Sequence, residues 1–508
     1  MRLKITVLLT FFIVLANAQI TDLSKLSTGS YYDSDEIIDA DNNKRGYFYL
    51  FETDKIAKET VTLEYVVLDE NLKKVTNGFF TEMKFESFLI DAKKIIVNVS
   101  YYDNKLLLSL NDDFGQGGVP AFQRYRILDL KTNKLSDLFM YNDNKLKLNP
   151  EISRDFSKMS LNHSDNMLFF NKVGLVGFKN EIDKKTKTEN RHMTLFDNNF
   201  KEVWKCSYNI SQKKENKKDI QYLNSDQNII VFFNHWSNKK EERLNDFSLL
   251  FIDSKTGKLI NEYAFPNIDK YAYKTVNCLL TENEIIYTGN YSKKTDWGGI
   301  DDEEGIGMFK MVFSKNDGKL KETKYLNWAD NTDKLAADKK GYIKKEGYLY
   351  VHNMLPLSNG KTLVVCETFK QKPITTNNMY MLELTPDFKL NQVFVVEKFR
   401  NKFSRTDAHS SVIKYYGLFD FIDYQNMGDD EYLFYLNDNE KNSRNRKKSN
   451  LYGIISYVDG KFVRQTLDLK TETSTKSISP AKKGYVLISE NFDDKKKATE
   501  LRLEKINY

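Results

Sequence analysis

Short apolar runs recur along this chain in a fixed order: an inner run, a polar gap, then a second run ending in a tight Asp/Asn/Gly turn. The inner runs are Tyr47–Phe51, Ile95–Tyr102, Leu168–Val173, Ile229–Phe233, Ile285–Tyr287, Leu363–Cys366, Tyr432–Tyr435 and Tyr485–Ile488. The clearest second runs are Tyr65–Val75, Ile127–Leu135, Leu195–Val203, Phe251–Leu259 and Ile454–Val463, with turns reading DENLK, DLKTNK, DNNFK, DSKTGK and VDGK. Runs such as Ile229-Ile230-Val231-Phe232-Phe233 do not alternate, which predicts strands covered on both faces. Asn, Asp and Gly tolerate the positive φ that tight hairpins require. A unit of four short strands leaves both faces of its sheet bare unless it stacks on its neighbours. Closing such a stack makes a β-propeller.

The inner runs are read as strand B of each unit, with strand A just before them across turns such as NSDQN, NHSDN, LSNG and NMGDD. At roughly 60 residues per unit, the expected fold is all-β, a propeller of eight four-stranded blades, with seven as the alternative. The last unit shows strands A to C and then the chain ends, so Ile20–Leu26 is expected to supply its outer strand and remove an exposed edge. One segment departs from the pattern. Asn331–Lys340 carries an N-cap residue, helix formers and a stop at Gly341, predicting a short helical insertion over about 331–347, between blades 5 and 6.

Composition supports strands: 30 Tyr and 34 Phe suit pleated, half-buried surfaces, and only 7 Pro and 23 Gly leave no obvious linker. The N-terminus sets the compartment. Arg2 and Lys4 precede the apolar Ile5–Leu15, and Ala16-Asn17-Ala18 fits a cleavage site, so 1–18 reads as a signal peptide and 19–508 as one propeller domain. An apolar stretch of about 11 residues falls short of the roughly 20 that span a membrane. Gln19 follows the predicted cut where a lipoprotein would have Cys, and no later run is long enough to span. The mature protein is therefore expected to be soluble and exported, periplasmic or extracellular. Its formal charge of +6 falls to +4 without Arg2 and Lys4, and the cations are interleaved with acids, so nucleic acid is not implied. Runs such as Lys213–Lys218 and Arg444–Lys448 read as solvated loops. Cys206, Cys278 and Cys366 fall in different repeats and read as buried thiols.

The chain resembles the uncharacterised exported β-propeller proteins of Bacteroidota. The likeness lies in the Ala18-Gln19 junction, in hairpins like Val67–Val75 (VLDENLKKV), and in Tyr350–Met354 followed by Ser358–Phe369 (SNGKTLVVCETF). It covers most of the mature chain as pattern. It implies a fold and a compartment and brings no active site with it.

Function is expected where connections are longest. In a propeller the A–B and C–D turns share one rim and the B–C and D–A loops the other. The first set is short throughout. The second includes Lys179–Arg191, Ser237–Asn245, Tyr291–Ile306, Lys370–Asn378, Asn437–Asn450, Tyr141–Glu151, Tyr208–Lys218, Asn327–Gly347 and Lys398–Ala408. Trp236, Trp297 and Trp328 fall on that rim around blades 4–6 and are the candidate stacking platform for a glycan or peptide, while Trp204 reads as core. His352 and His409 precede successive A strands and form a candidate pair. Asp296, Asp301, Asp302, Glu303 and Glu304 surround Gly298, Gly299 and Gly305, a set that would offer oxygen ligands to Ca²⁺. Their order departs from an EF-hand, and a solvated acidic loop is the simpler expectation. Asp39, Asp41 and Asn43 read as an A–B turn. No zinc spacing or G-x-S-x-G is present, and FGQGGVP (Phe114–Pro120) has no following helix to bind phosphate. No cofactor is implied. The resulting expectation is an exported binding or scaffold module for a glycan, peptide or envelope protein. The alternative is a polysaccharide hydrolase or lyase with carboxylates at the channel mouth.

Overall fold

A computed structural model of the chain describes residues 20–39, 42–57, 60–83, 94–113, 124–142, 145–148, 167–170, 172–182, 189–197, 200–209, 216–238, 245–266, 270–294, 300–403, 409–438, 451–469, 474–492 and 499–506. The predicted signal peptide lies outside them. Eight antiparallel sheets follow one another, each built on an A-B-C-D order. Their packing explains the unbroken apolar runs. In strand B of blade 4, Ile230 and Phe232 join a cluster with Val176, Met193 and Trp204 of blade 3. Ile229, Val231 and Phe233 join another with Tyr273, Tyr287 and Phe309 of blade 5. Alternate side chains thus serve alternate neighbours, and every position is buried.

The same arrangement recurs at all eight junctions. A separate apolar cluster joins blades 1 and 2, 2 and 3, 3 and 4, 4 and 5, 5 and 6, 6 and 7, 7 and 8, and 8 and 1. That circuit makes the protein an eight-bladed β-propeller. It closes as expected: Ile20–Asp22 is the outer strand of blade 8, with Ile20 opposite Arg502 and Asp22 opposite Glu500. Burial declines outward: strand B of blade 6 is buried along nearly all of Thr362–Gln371, whereas outer strand D of blade 7, Lys461–Asp468, is largely exposed.

Two blades differ from expectation in strand identity. Ile95–Tyr102 and Leu168–Val173 were expected as strand B, but they fall on the innermost strands Lys94–Tyr102 and Met167–Phe170. Strand B is Lys105–Asp113 in blade 2 and Leu175–Ile182 in blade 3. The inner strand there is as apolar as its partner, so hydrophobicity alone did not separate them. The insertion between blades 5 and 6 holds the helix Thr332–Leu335, and a second short helix, Ser410–Tyr415, lies between blades 6 and 7.

Inner strands are tied sideways by polar side chains. Asp33 and Asp35 of blade 1 accept the backbone amides of Val97 and Val99 in blade 2, at 3.0 and 2.7 Å. Asn224 of blade 4 donates to the Cys278 carbonyl (2.8 Å), and Asn277 of blade 5 to that of Met354 (2.9 Å). Gln425 of blade 7 donates to the Ala481 carbonyl of blade 8 (2.7 Å). Asp33, Asn224, Asn277, Asn353 and Asp423 all follow a register shift in strand A. The first three of these bond the next blade.

The C–D turns lock neighbours in a second way. Leu72, Phe200 and Phe388 adopt positive φ (60°, 61° and 60°), a conformation that costs an ordinary L-residue roughly 1–2 kcal/mol. Each side chain packs onto the preceding blade: Leu72 on Leu487 and Leu503, Phe200 edge-on to Phe139, Phe388 beside Met308 and Trp328. Blades 4 and 5 invert the scheme. Their turns hold Gly257 and Gly318, where an added Cβ would meet Trp204 at 2.5 Å and Phe251 at 2.7 Å, both from the preceding blade.

Leu72→Gly relaxes the turn but empties the junction between blades 8 and 1. Because deleting a buried leucine costs about 2–5 kcal/mol, more than the relief, the variant is expected to be less stable by denaturant titration. A neutral or stabilising result would show that the turn, not the plug, governs that junction.

Candidate functional site

Several excursions expected as loops are continuations of the sheet. Much of Tyr291–Ile306 belongs to its flanking strands, which run to Lys294 and from Ile300. Lys370–Asn378 shortens to Lys372-Pro373 between Gln371 and Ile374. Trp236 lies in strand B of blade 4, opposite Lys218 and Asp246, not at the opening of a loop. Trp328 is 3% exposed and packs with Met308, Leu335, Ala337 and Ile343, which makes it part of the core between blades 5 and 6. Trp297 and Asp296 lie outside the described residues. Asp301, Asp302, Glu303 and Glu304 fall within strand C of blade 5. No group of three or more His, Cys, Asp or Glu suited to a metal occurs among the described residues. Asp39 and Asn43 form the expected A–B turn, with the Asn43 amide on Asp39 Oδ1 at 2.9 Å.

The two candidate histidines have different surroundings. His409 is exposed just ahead of the helix Ser410–Tyr415. His352 is buried among the rings of Tyr350, Phe419 and Phe421, with Nε2 3.4 Å from Glu367 Oε2. Burial, which outweighs the pull of Glu367, lowers its pKa and keeps the ring neutral. Glu367 belongs to a network that joins blades 6 and 7. Its carboxylate accepts the backbone amides of Asp420 (3.0 Å) and Phe421 (3.2 Å) and lies 3.2 Å from Lys398 Nζ. Lys398 also reaches Asp420 Oδ2 at 2.5 Å, and Asn401 donates to the same oxygen at 3.0 Å. The side chains of Glu367 and Lys398 are fully buried. Desolvation would raise the Glu367 pKa, but Lys398 and the hydrogen bonds overcome it and bring it down to about 2. This is a buried ionic fastening between two blades.

A cavity of about 720 Å³ lies at the axis on the opposite rim, among the A–B turns. Seven blades contribute to it, from Asn42–Arg45 of blade 1 round to Ala481–Lys483 and Tyr485 of blade 8. The wall carries Asn42, Asn43, Asn224, Asn277, Gln425 and Asn426, and the rings of Tyr424, Tyr432 and Tyr485. Among the described residues five cations line it, Lys44, Arg45, Lys172, Lys482 and Lys483, against a single carboxylate, Glu70. Asn224, Asn277 and Gln425 are held by their bonds to neighbouring blades, so this part of the wall is preorganised. Loop length gave no hint of this site. The readable signals were the short cationic turns NNKR (42–45) and AKKG (481–484).

A sequence profile described as a family of unknown function, DUF6770, matches residues 1–376 and 372–507. The chain belongs to DUF6770. No curated protein matches this DUF6770 sequence. Among solved structures, the WD40 domain of SCAP from fission yeast aligns over 97% of this chain and 98% of its own, at 9% identity and a TM-score of 0.39. A quinohemoprotein alcohol dehydrogenase from Pseudomonas putida aligns over 96% of this chain and 76% of its own, at 7% identity and 0.42. Synechocystis apocarotenoid oxygenase aligns over 97% and 94%, at 8% identity and 0.33. Likeness at this level carries no inference about activity. No helix among the described residues is long and apolar enough to cross a membrane.

Lys398→Met strands two buried carboxylates and is expected to cost about 3–5 kcal/mol near neutral pH. Glu367 has a folded pKa below its ordinary 4.5, so the stability it lends is present above that value and lost as pH falls toward about 2. The gap between wild type and variant, followed by urea titration at several pH values, should therefore narrow on acidification. A constant gap would show that Lys398 acts by packing alone.

Proposed function

We propose that this propeller is an exported binding or scaffold module that takes its ligand in the axial pocket on the A–B rim. The observation that carries this reading is the pocket itself: a polar cavity of about 720 Å³ assembled from seven blades. That size falls within the roughly 300–1,000 Å³ typical of small-ligand sites. Export is supported by the signal-like Arg2–Ala18 segment. Binding is favoured over hydrolysis by the chemistry of the wall. Glycosidic cleavage commonly employs two carboxylates, and Glu70 is the one acid among the described lining residues. The hairpin rim is the weaker candidate, because Trp328, one of the three rings of the expected platform, is committed to the core.

A glycan and peptide array, followed by product analysis, tests this. Asn426 is exposed at the pocket wall, so Asn426→Trp would crowd the mouth without removing a core contact. A ligand that binds wild type and loses about tenfold or more in affinity for Asn426→Trp, without new chain ends, supports the reading. Binding indifferent to Asn426→Trp but abolished by trimming residues 295–299 would move the site to the hairpin rim and overturn it.

A further inference from the structure

We infer that the axial pocket is selective for an acidic carbohydrate, an oligosaccharide bearing carboxylates such as a uronate chain. This inference rests on the pocket being the binding surface. The charge of the wall is unevenly compensated. Lys44 pairs with Glu36, and Arg45 Nη2 lies 2.7 Å from Asp39 Oδ2. Lys482 instead donates to the neutral Asn71 Oδ1 at 2.5 Å and lies 4.3 Å above the Tyr485 ring, partners that leave its positive charge in place. Lys483 beside it is exposed. Blade 8 therefore lends the cavity wall two cations from consecutive residues, Lys482 on the side of blade 1 and Lys483 on the side of Gly428 in blade 7, and anions are drawn there.

The rest of the wall narrows the anion's chemistry. Ligand pockets are usually lined by apolar side chains, whereas carboxamides and tyrosines alternate with cations here. Amides match the paired donors and acceptors of sugar hydroxyls, and tyrosine rings offer flat faces with a polar edge. A phosphate site would favour a free guanidinium or a helix N-terminus. The one arginine here is engaged by Asp39, and the described lining contains no helix. A peptide joining as an added strand would need unpaired backbone, but the inner-strand carbonyls of Cys278 and Met354, at or next to the pocket wall, are already taken by Asn224 and Asn277. Point-charge lysines, amides and rings together suit a carboxylated sugar.

Calorimetric titration with a galacturonate tetramer and with its full methyl ester isolates the charge, since the two share one backbone. The expected result is binding of the acid only, weakening as salt is raised. Affinity should fall at least about tenfold in Lys482→Ala/Lys483→Ala and recover in Lys482→Arg/Lys483→Arg. Thermal melts should show the arginine variant folded. Equal binding of acid and ester, lost in Asn426→Trp, would overturn the carboxylate inference while leaving the pocket as the binding surface. Acid binding indifferent to Asn426→Trp and to both lysine variants would defeat both readings. Tighter binding of tetraglutamate or inorganic phosphate than of any uronate tetramer, mannuronate included, would also overturn the inference, as would binding of no uronate at all.

Discussion

Every feature of this protein follows from one constraint: a four-stranded sheet with two oily faces is unstable until something covers both. Each blade is covered by the next, and eight apolar clusters, one for each junction, carry that coverage round the circle. The hydrophobic effect makes such a stack favourable but does not set its alignment. Alignment comes from directional contacts: the Asx and Gln side chains that bond the next inner strand, and the turn residues that reach the preceding blade. The Glu367–Lys398–Asp420 network adds a third kind of fastening, between blades 6 and 7. Its ions are fully desolvated, so it contributes geometry more than net stability.

Much of this was legible in the chain. Unbroken runs such as Ile229–Phe233 imply two covered faces, and two covered faces without helices imply stacked sheets. The incomplete last unit and the apolar Ile20–Leu26 together imply closure by the N-terminal strand, and the pairing of Ile20 with Arg502 bears that out. Two details were hidden for physical reasons. In blades 2 and 3 the inner strand is as apolar as its partner, so Ile95–Tyr102 and Leu168–Val173 carried no mark of their place. In the turns DENLK and DNNFK the left-handed position is held by Leu72 and Phe200, not by the Asn or Asp that local preference suggests, because burial against the previous blade outweighs backbone strain.

The candidate site was much less legible. Length between apolar runs was taken as loop, yet around Tyr291–Ile306 and Lys370–Asn378 the extra residues extend hairpins, where paired backbone stiffens them. A tryptophan after a strand looked like a surface ring, and Trp328 is core because the insertion folds back over it. The axial pocket escaped because its wall is gathered from single residues and short segments scattered over seven blades. The register shifts that precede Asp33, Asn224, Asn277, Asn353 and Asp423 in strand A leave a repeated trace. A site made this way sits on rigid scaffold and needs little ordering when a ligand arrives.

The turn contacts also store information about sequence order. Where Gly257 meets Trp204, the earlier blade supplies the bulk and the later one the space; where Leu72 meets blade 8, the roles reverse. Exchange two such blades and one boundary would hold two knobs while another would hold none. The circle therefore distinguishes its members sterically, although all share one plan. A chain assembled from near-identical modules gains in this way a guard against threading itself, or a second molecule, in the wrong succession.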